Sequence, residues 1–180
     1  MSDLVRVAVD AIGGDYAPVE PVKGAVEAVN ADERVKVQLV GQVDVIEKEL
    51  QKYTYPKERV EIVPATEIIE TGEPPVNAIR HKKDSSIVVG MKKVRCGEAD
   101  AFVSSGSTGA VLVGGQTIVG RIKGVERPPL APLIPTKDGV SLLIDCGANA
   151  ECTSEYLLQF AYLGSYYAEK VLGIVQPRVG

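Results

Sequence analysis

The sequence has few of the residues that build disulfide scaffolds, metal centres or histidine-based catalytic triads. Among its 180 residues there is one histidine, His81, and there are three cysteines, Cys96, Cys146 and Cys152. The cysteines are odd in number, widely spaced and not arranged as metal ligands. A disulfide framework, a zinc site and a His-based triad are therefore disfavoured. We expect a reduced, cytoplasmic protein whose cysteines serve as packing residues.

Neither sign of charge dominates, and no apolar run is long. Twenty Lys and Arg stand against 24 Asp and Glu, which gives a formal net charge of -4. General nucleic-acid binding needs a basic excess or stripe, and a membrane-spanning helix needs about 20 consecutive apolar residues. The start of the sequence, 1–9, also lacks the layout of a secretory signal. With 45% hydrophobic residues, the chain is long enough for one domain with a sizeable core.

Short β-branched runs alternate with amphipathic segments through the first two thirds of the chain. The predicted strands are 5–9, 35–40, 60–63 and 101–104, and the predicted helices are 18–30, 43–50, 76–82, 85–97 and a last apolar segment that ends near 119. Ser85 or Asp84 would cap the fourth of these helices. This alternation predicts a Rossmann-like, three-layer α/β/α fold with a mostly parallel sheet, read as a single unit over 1–180.

The last third of the chain is less regular. Two runs, 130–134 and 140–145, flank the turn Lys137-Asp138-Gly139 and form either a hairpin or two strands of the sheet. Thr153 is expected to cap a final helix. The predicted buried stripe of that helix is Leu157, Phe160, Ala161, Gly164, Ala168 and Val171. The segment 174–180 resembles the approach to another strand, which predicts that the chain is a fragment.

Three predicted strands run into loops of small residues, at 10–15, 104–109 and 145–149. The carboxyl ends of parallel strands share one edge of a sheet, where ligands bind. The three loops should therefore converge. The loop 104–109 fits an anion best, because its glycines allow close backbone approach and Ser107 and Thr108 carry hydroxyl groups. It matches neither a dinucleotide fingerprint nor a P-loop, and it could also be a tight turn that binds nothing.

Polar and basic residues around these loops have two readings each. Asp10, Asp15 and Asp145 could bind a metal, orient a lysine or accept a ligand hydroxyl, or they could cap a loop or helix. Asn149 could donate to an oxyanion. A basic cluster could meet phosphate or an acidic partner, or form a solvated helix face. Its members are Arg80, Lys82, Lys83, Lys92, Lys93 and Arg95.

Five ordered motifs resemble one protein family. They are Asp10-Ala11-Ile12-Gly13-Gly14-Asp15, Lys83-Asp84-Ser85-Ser86, Ser104-Ser105-Gly106-Ser107-Thr108-Gly109-Ala110, Arg127-Pro128 and Asp145-Cys146-Gly147-Ala148-Asn149. Together they resemble the PlsX-type phosphate acyltransferases of bacterial phospholipid synthesis, over the span from Arg6 to Gly180. Ser107 stands where that family usually has Asn, and Ile12 stands where it usually has Met.

The resemblance implies a function. It implies transfer of a long-chain acyl group from acyl carrier protein to inorganic phosphate, which gives acyl phosphate. It implies a fold like that of isocitrate dehydrogenase or phosphotransacetylase, no cofactor or metal, a homodimer, and peripheral contact with a membrane. It also implies that 1–180 is the N-terminal portion of a longer enzyme.

The resemblance also assigns roles to residues. Lys83 would balance charge, Asn149 would orient the substrate or donate to an oxyanion, and Asp10 would hold loops or cations in place. The expected phosphate- or substrate-binding residues are Gly13, Gly14, Asp15, Ser85, Ser104, Gly106, Ser107, Thr108, Gly109, Asp145 and Gly147. The expected carrier-protein docking residues are Arg80, Lys82, Lys92, Lys93 and Arg95.

Two other functions stay open from the sequence. One is a short-chain phosphate acyltransferase that uses coenzyme A thioesters. The other is a truncated, non-catalytic module that binds phosphate. A decarboxylating dehydrogenase, which shares the architecture by resemblance, needs a metal-binding carboxylate cluster and a cofactor loop that the sequence does not show.

Overall fold

The computed structural model describes residues 4–137 and 139–180, and Asp138 of the predicted turn lies outside the described residues. The chain divides into two compact units, one up to Gly120 and the other Arg121–Gly180. The expectation of a single α/β unit over 1–180, forming the N-terminal portion of a longer enzyme, stays a prediction.

The first unit alternates strands with helices, as the hydrophobic pattern predicts. Its elements are β1 (Val5–Asp10), α1 (Val19–Ala31), β2 (Val35–Gly41), α2 (Val43–Leu50), β3 (Val60–Pro64), α3 (Pro75–His81), α4 (Ser86–Arg95), β4 (Ala101–Val103) and α5 (Thr108–Gly114). A 3-10 turn (Lys57–Arg59) precedes β3, and a π-helical turn (Gly115–Val119) continues α5.

The four strands form one parallel sheet in the order β3-β2-β1-β4. In the register of the sheet, Val9 stands opposite Leu39 on one side and Val103 on the other. Because all four strands point the same way, the segments that follow them emerge at one edge. The loops that carry the predicted site residues of this unit begin at that edge.

Alternate side chains of the strands face two different helix layers. On one face, Val37 and Leu39 pack with α1 and α2 in an apolar cluster that includes Val22 and Ile46. On the other face, Ala8 and Val40 belong to a second cluster, toward α4. A third cluster joins α3, α4 and α5. The predicted three-layer α/β/α arrangement with a parallel sheet is thereby confirmed.

The second unit consists of an antiparallel pair of strands and one long helix. Strands β5 (Leu133–Thr136) and β6 (Gly139–Leu142) form a two-stranded ladder, so the hairpin alternative is the one that is realised. Helix α6 (Ser154–Lys170) begins after Thr153, whose hydroxyl accepts a bond from the Tyr156 N–H as predicted. The segment 174–180, predicted to approach a further strand, is not itself a strand, and that prediction stays open.

Some burial predictions for this unit are wrong. Leu157 and Val171, placed in the buried stripe of α6, are 55% and 62% exposed. Phe160, Gly164 and Ala168 are buried, so the buried face of α6 is narrower than the apolar pattern suggests.

The cysteines also differ from expectation, because Cys96 and Cys152 are exposed and only Cys146 is partly buried. Cys96 and Cys152 are therefore not packing residues. Among the helices of the described residues, none combines the length and apolar character that a bilayer crossing requires.

Candidate functional site

The turn after β1 and the loop after β4 are in direct contact. Gly14 has a φ of +99°, and a Cβ added there would lie 2.8 Å from the carbonyl oxygen of Ser105. The Ser105 hydroxyl in turn donates to the carbonyl of Gly13 at 2.9 Å. Two of the three predicted loops thus meet at the carboxyl edge of the sheet, and a side chain at Gly14 would force them apart.

Asp10, at the end of β1, links the same two loops by a hydrogen bond. It is 1% exposed, and its Oδ2 accepts a hydrogen bond of 2.7 Å from the Ser104 hydroxyl. Ser104 Oγ also accepts from the Gly106 N–H at 3.0 Å. The glycines make room, because a Cβ on Gly13 would collide with the Asp10 carboxylate. The position of each loop therefore depends on the other.

The start of α5 provides the donors of this candidate anion site. Ser107 is 2% exposed and caps the helix by accepting from the Ala110 N–H. Thr108 follows with an exposed hydroxyl, and the first N–H groups of a helix have no intrahelical acceptor. Gly109 packs so closely on Pro75 that a Cβ would overlap the proline ring. This geometry is compatible with both predictions for the loop, an anion-binding loop and a tight strand–helix turn that binds nothing.

The Lys83–Ser86 turn lies at the carboxyl end of β3. Thr66 donates to the Asp84 carboxylate through its hydroxyl at 2.5 Å and its N–H at 3.0 Å, and these bonds lower the pKa of Asp84. Ser85, not Asp84, caps α4: it is fully buried and accepts from the Val88 N–H. The contacts of Ser85 are those of a helix cap, so its role in substrate binding stays a prediction.

The structure divides the basic cluster into paired and unpaired cations. Lys82 forms an ion pair with Glu73, which lowers the pKa of that carboxyl, and Lys93 binds Glu98 at 2.6 Å. Lys83 Nζ donates to the carbonyl of Ile79.

Two further cations of the cluster bind carbonyl groups. Lys92 Nζ donates to the carbonyl of Lys83, and Arg95 donates to the carbonyl of Val119. Arg80 is exposed at the end of α3. Among the described residues, four members of the cluster form no ion pair within 4.0 Å, namely Arg80, Lys83, Lys92 and Arg95.

The third predicted loop, 145–149, belongs to the second unit and is built around Asp145. Its carboxylate accepts from the Leu130 N–H at 2.6 Å and from the Asn149 N–H at 2.8 Å. Burial pushes the pKa of Asp145 upward, but the bonds from Leu130, Asn149 and Ala148 outweigh it and leave the pKa below its ordinary value. Asp145 therefore organises the backbone of this loop.

Asn149 shares that structural work. Its amide nitrogen donates to Asp145 at 3.2 Å and to the carbonyl of Pro128 at 3.3 Å, which ties the loop to the Arg127-Pro128 motif. An amide nitrogen has two protons, so both are used here. Donation to an oxyanion would require one of these bonds to break, and that role of Asn149 stays a prediction.

Two further predicted site residues, Asp15 and Gly147, lie on the surface. Asp15 is exposed beside Gly14, and Gly147 is exposed with a φ of +89°. The sequence did not identify Ser105 or Thr66 as site residues. Ser105 donates to Gly13 of the turn after β1, and Thr66 donates to Asp84 of the Lys83–Ser86 turn. Spacing contains no signal for such partners, since their acceptors lie 92 and 18 residues away. Within 4–137 and 139–180, no three His, Cys, Asp or Glu side chains gather as metal ligands.

Comparison with known sequences gives a consistent result. The family described as "Fatty acid synthesis protein" matches residues 5–180. The chain is 52% identical to a phosphate acyltransferase of Alkaliphilus oremlandii over 97% of its own length and 52% of that protein. It is 48% identical to one of Clostridium kluyveri with the same coverage. The chain thus spans about half the length of the curated relatives it matches.

Comparison with solved structures supports the fold. A phosphotransacetylase from Streptococcus pyogenes superimposes with a TM-score of 0.69 at 18% identity, over 95% of this chain and 55% of that one. The EutD phosphotransacetylase from Staphylococcus aureus gives a TM-score of 0.63 at 17% identity, over 92% and 53%. At these identities the likeness establishes the architecture alone.

Proposed function

The chain belongs to the fatty acid synthesis protein family, and on that premise we propose that the whole protein is a phosphate acyltransferase. It would move an acyl group from a thioester to inorganic phosphate. The proposed acyl donor is a long-chain acyl thioester of acyl carrier protein. A short-chain coenzyme A thioester is the second candidate, because the fold is also that of phosphotransacetylases.

One observation carries the proposal: two glycine-bearing loops, 10–15 and 104–109, are locked together at the carboxyl edge of a parallel sheet. That edge is where open α/β sheets bind ligands. The exposed Thr108 hydroxyl and the first N–H groups of α5 supply donors for a tetrahedral anion. We assign the phosphate to this place.

The chemistry needs no protein nucleophile. A phosphate oxygen attacks the thioester carbon, the carbonyl oxygen becomes an oxyanion, and the C–S bond then breaks to release the thiol. The proton of hydrogen phosphate balances the thiolate that leaves. The protein would have to hold the anion near the carbonyl carbon and stabilise the oxyanion. Asn149 is the proposed oxyanion donor, and Lys83 is the proposed counter-charge to phosphate.

The test is an assay of acyl-phosphate formation with the full-length protein, phosphate, and either acyl carrier protein or coenzyme A thioesters of matched chain length. We expect turnover with the long-chain carrier thioester. Faster turnover with short coenzyme A thioesters would favour the second candidate. Phosphate binding without any turnover would identify a non-catalytic module.

The charge role of Lys83 can be tested in the same assay. In a Lys83→Ala variant, loss of the counter-charge should raise the KM for phosphate. The matched control is Lys82→Ala, because Lys82 is already paired with Glu73. An unchanged phosphate KM and kcat in Lys83→Ala would reject the role.

The proposed docking surface for the acidic carrier protein consists of Arg80, Lys82, Lys92, Lys93 and Arg95, since complementary charge speeds encounter. A Lys92→Glu variant should weaken carrier binding at low salt. A Lys93→Glu variant should weaken carrier binding less, because Lys93 already forms an ion pair with Glu98. Equal affinities of wild type and Lys92→Glu at low salt would remove Lys92 from the surface.

The family resemblance supports three further proposals: a homodimer, a cytoplasmic location and peripheral contact with membrane. Light scattering of the full-length protein tests the first. Flotation with anionic vesicles tests the last, and a protein that stays with the soluble fraction would contradict it.

A further inference from the structure

The buried carboxylate of Asp10 is only half satisfied. Its Oδ2 accepts from Ser104, whereas its Oδ1 is fully buried and has no hydrogen-bond partner among the described residues. None of the ion pairs in the described part of the chain includes Asp10. A buried polar atom without a partner is costly, and the low local dielectric strengthens the one hydrogen bond that the Asp10 carboxyl group does make.

Asp10 fixes the direction of the Ser104 hydroxyl. A serine hydroxyl has one proton and two lone pairs, and here the Ser104 hydroxyl is the donor to Asp10. The proton of Ser104 therefore points at Asp10 Oδ2, at 2.7 Å, and one lone pair takes the Gly106 N–H at 3.0 Å. One lone pair of Ser104 Oγ is left. Toward any ligand, Ser104 is an acceptor and not a donor.

Ser104 is placed where a ligand can reach it. It is only partly buried and is the first residue of the loop that ends at the exposed Thr108. The neighbouring Gly106 has no side chain to cover the hydroxyl, since a Cβ there would lie 3.3 Å from Ser104 Oγ. An anion held by the donors of this loop thus also meets an acceptor with a carboxylate behind it.

We infer that Asp10 and Ser104 make the anion site selective for a tetrahedral anion that carries a proton, namely hydrogen phosphate, and against sulfate. The inference rests on the proposed function and specifies the ligand of the same site. At neutral pH phosphate and arsenate each carry a proton that can bond to Ser104 Oγ, whereas sulfate has none. For sulfate the same lone pair is repulsive and no hydrogen bond replaces it, so the site disfavours sulfate.

The inference can be tested without any substitution. Binding of phosphate, arsenate and sulfate to the full-length protein is measured by calorimetry at one ionic strength and neutral pH. Phosphate and arsenate should bind with similar affinity. Sulfate should bind roughly 10- to 100-fold more weakly, which is the range for one lost hydrogen bond to a charged group.

Two variants should reduce this selectivity. Asp10→Asn keeps the shape of the side chain but brings an amide N–H that can donate to Ser104 Oγ, which frees the serine proton to bind an anion, so sulfate affinity should rise. Ser104→Ala removes the acceptor, so phosphate affinity should fall toward that of sulfate. Ser105→Ala is the matched control, because Ser105 lies in the same loop but donates to Gly13. It should leave the ratio of the two affinities unchanged.

The possible outcomes separate the two levels of the proposal. If phosphate fails to bind, both the proposed function and the inference are wrong. If wild type binds phosphate and sulfate equally, the function stands and the inference is wrong. A ratio that is large in wild type, smaller in Ser104→Ala or Asp10→Asn, and kept in Ser105→Ala supports the inference. A ratio kept in both Asp10→Asn and Ser104→Ala overturns it.

Discussion

The two compact units differ in what holds their polar loops in place. In the first unit, loops 10–15 and 104–109 stand on a sheet whose side chains are buried between two helix layers. In the second, Phe160 and Ala168 are the only hydrophobic residues among the described ones that count as buried, and loop 145–149 is fixed by bonds around Asp145. The first pair of loops therefore rests on a packed core in addition to its own hydrogen bonds, whereas loop 145–149 is held mainly by hydrogen bonds.

The largest expected effect on stability comes from truncating a leucine to alanine, and the comparison uses one leucine in each unit. Leu39 in β2 is 0% exposed, whereas Leu133 in β5 is 43% exposed. Leu39→Ala should destabilise the protein by about 2–5 kcal/mol, because it leaves a cavity in the core. Leu133→Ala should cost less than about 1 kcal/mol. Urea unfolding followed by circular dichroism measures both, and equal losses would remove the contrast between the units.

The second comparison uses two glycines with positive φ. At Gly14 an added Cβ meets the Ser105 backbone, whereas at Gly147 it meets nothing within 4 Å. Both substitutions to Ala carry a conformational cost of about 1–2 kcal/mol, and overpacking at Gly14 adds about 1–3 kcal/mol. The melting temperature of Gly14→Ala should therefore be well below that of Gly147→Ala. The reverse order would mean that the two loops of the first unit are not tightly joined.

The hydrogen-bonded loop of the second unit should be sensitive to acid. Because the pKa of Asp145 is lowered in the folded protein, its ionised form contributes stability above about pH 4, the ordinary carboxyl value, and this is lost as pH falls through the lowered pKa. Asp145→Asn should cost about 1–3 kcal/mol at neutral pH, since the amide keeps one acceptor oxygen and leaves the other backbone N–H without its partner. The gap between wild type and variant should narrow in acid. A gap independent of pH would contradict the ionised role.

The smallest expected effect concerns exposed ion pairs. Arg6 and Asp100 connect the start of β1 to the start of β4 through two side-chain bonds, at 2.8 and 3.1 Å, and a bond from the Arg6 N–H. The Lys170–Glu169 pair lies at the end of α6. Asp100→Ala should lower the melting temperature slightly, and Glu169→Ala should leave it unchanged, because isolated surface pairs contribute little. Identical melting temperatures for the two variants would show that the sheet gains nothing from the pair.

The same division explains what the sequence could predict. In the first unit, hydrophobic periodicity is imposed by burial on both faces of the sheet, so β1, β2 and α2 begin where the pattern predicts. In the second unit, few apolar residues are buried, and Leu157 and Val171 follow the helical period without being covered. Periodicity predicts a face and does not say whether another element covers it.

The site was predictable as a set of loops but not as a set of bonds. Parallel strands bring their carboxyl ends together, so the meeting of 10–15 with 104–109 follows from fold class alone. Which side chain pairs with which depends on rotamers and loop paths. The Ser104–Asp10 bond and the partners of Lys82 and Lys93 are therefore learned only from coordinates. The individual catalytic roles stay predictions.

The bond between Ser104 and Asp10 spans 94 positions of the chain, which has a consequence for biosynthesis. A ribosome delivers β1 and β2 long before β4, and β1 can pair with β2 while its far side is still open. Pairings between distant segments close large loops and form slowly. The contact between the two loops of the candidate anion site therefore cannot form until more than half of these 180 residues have been translated.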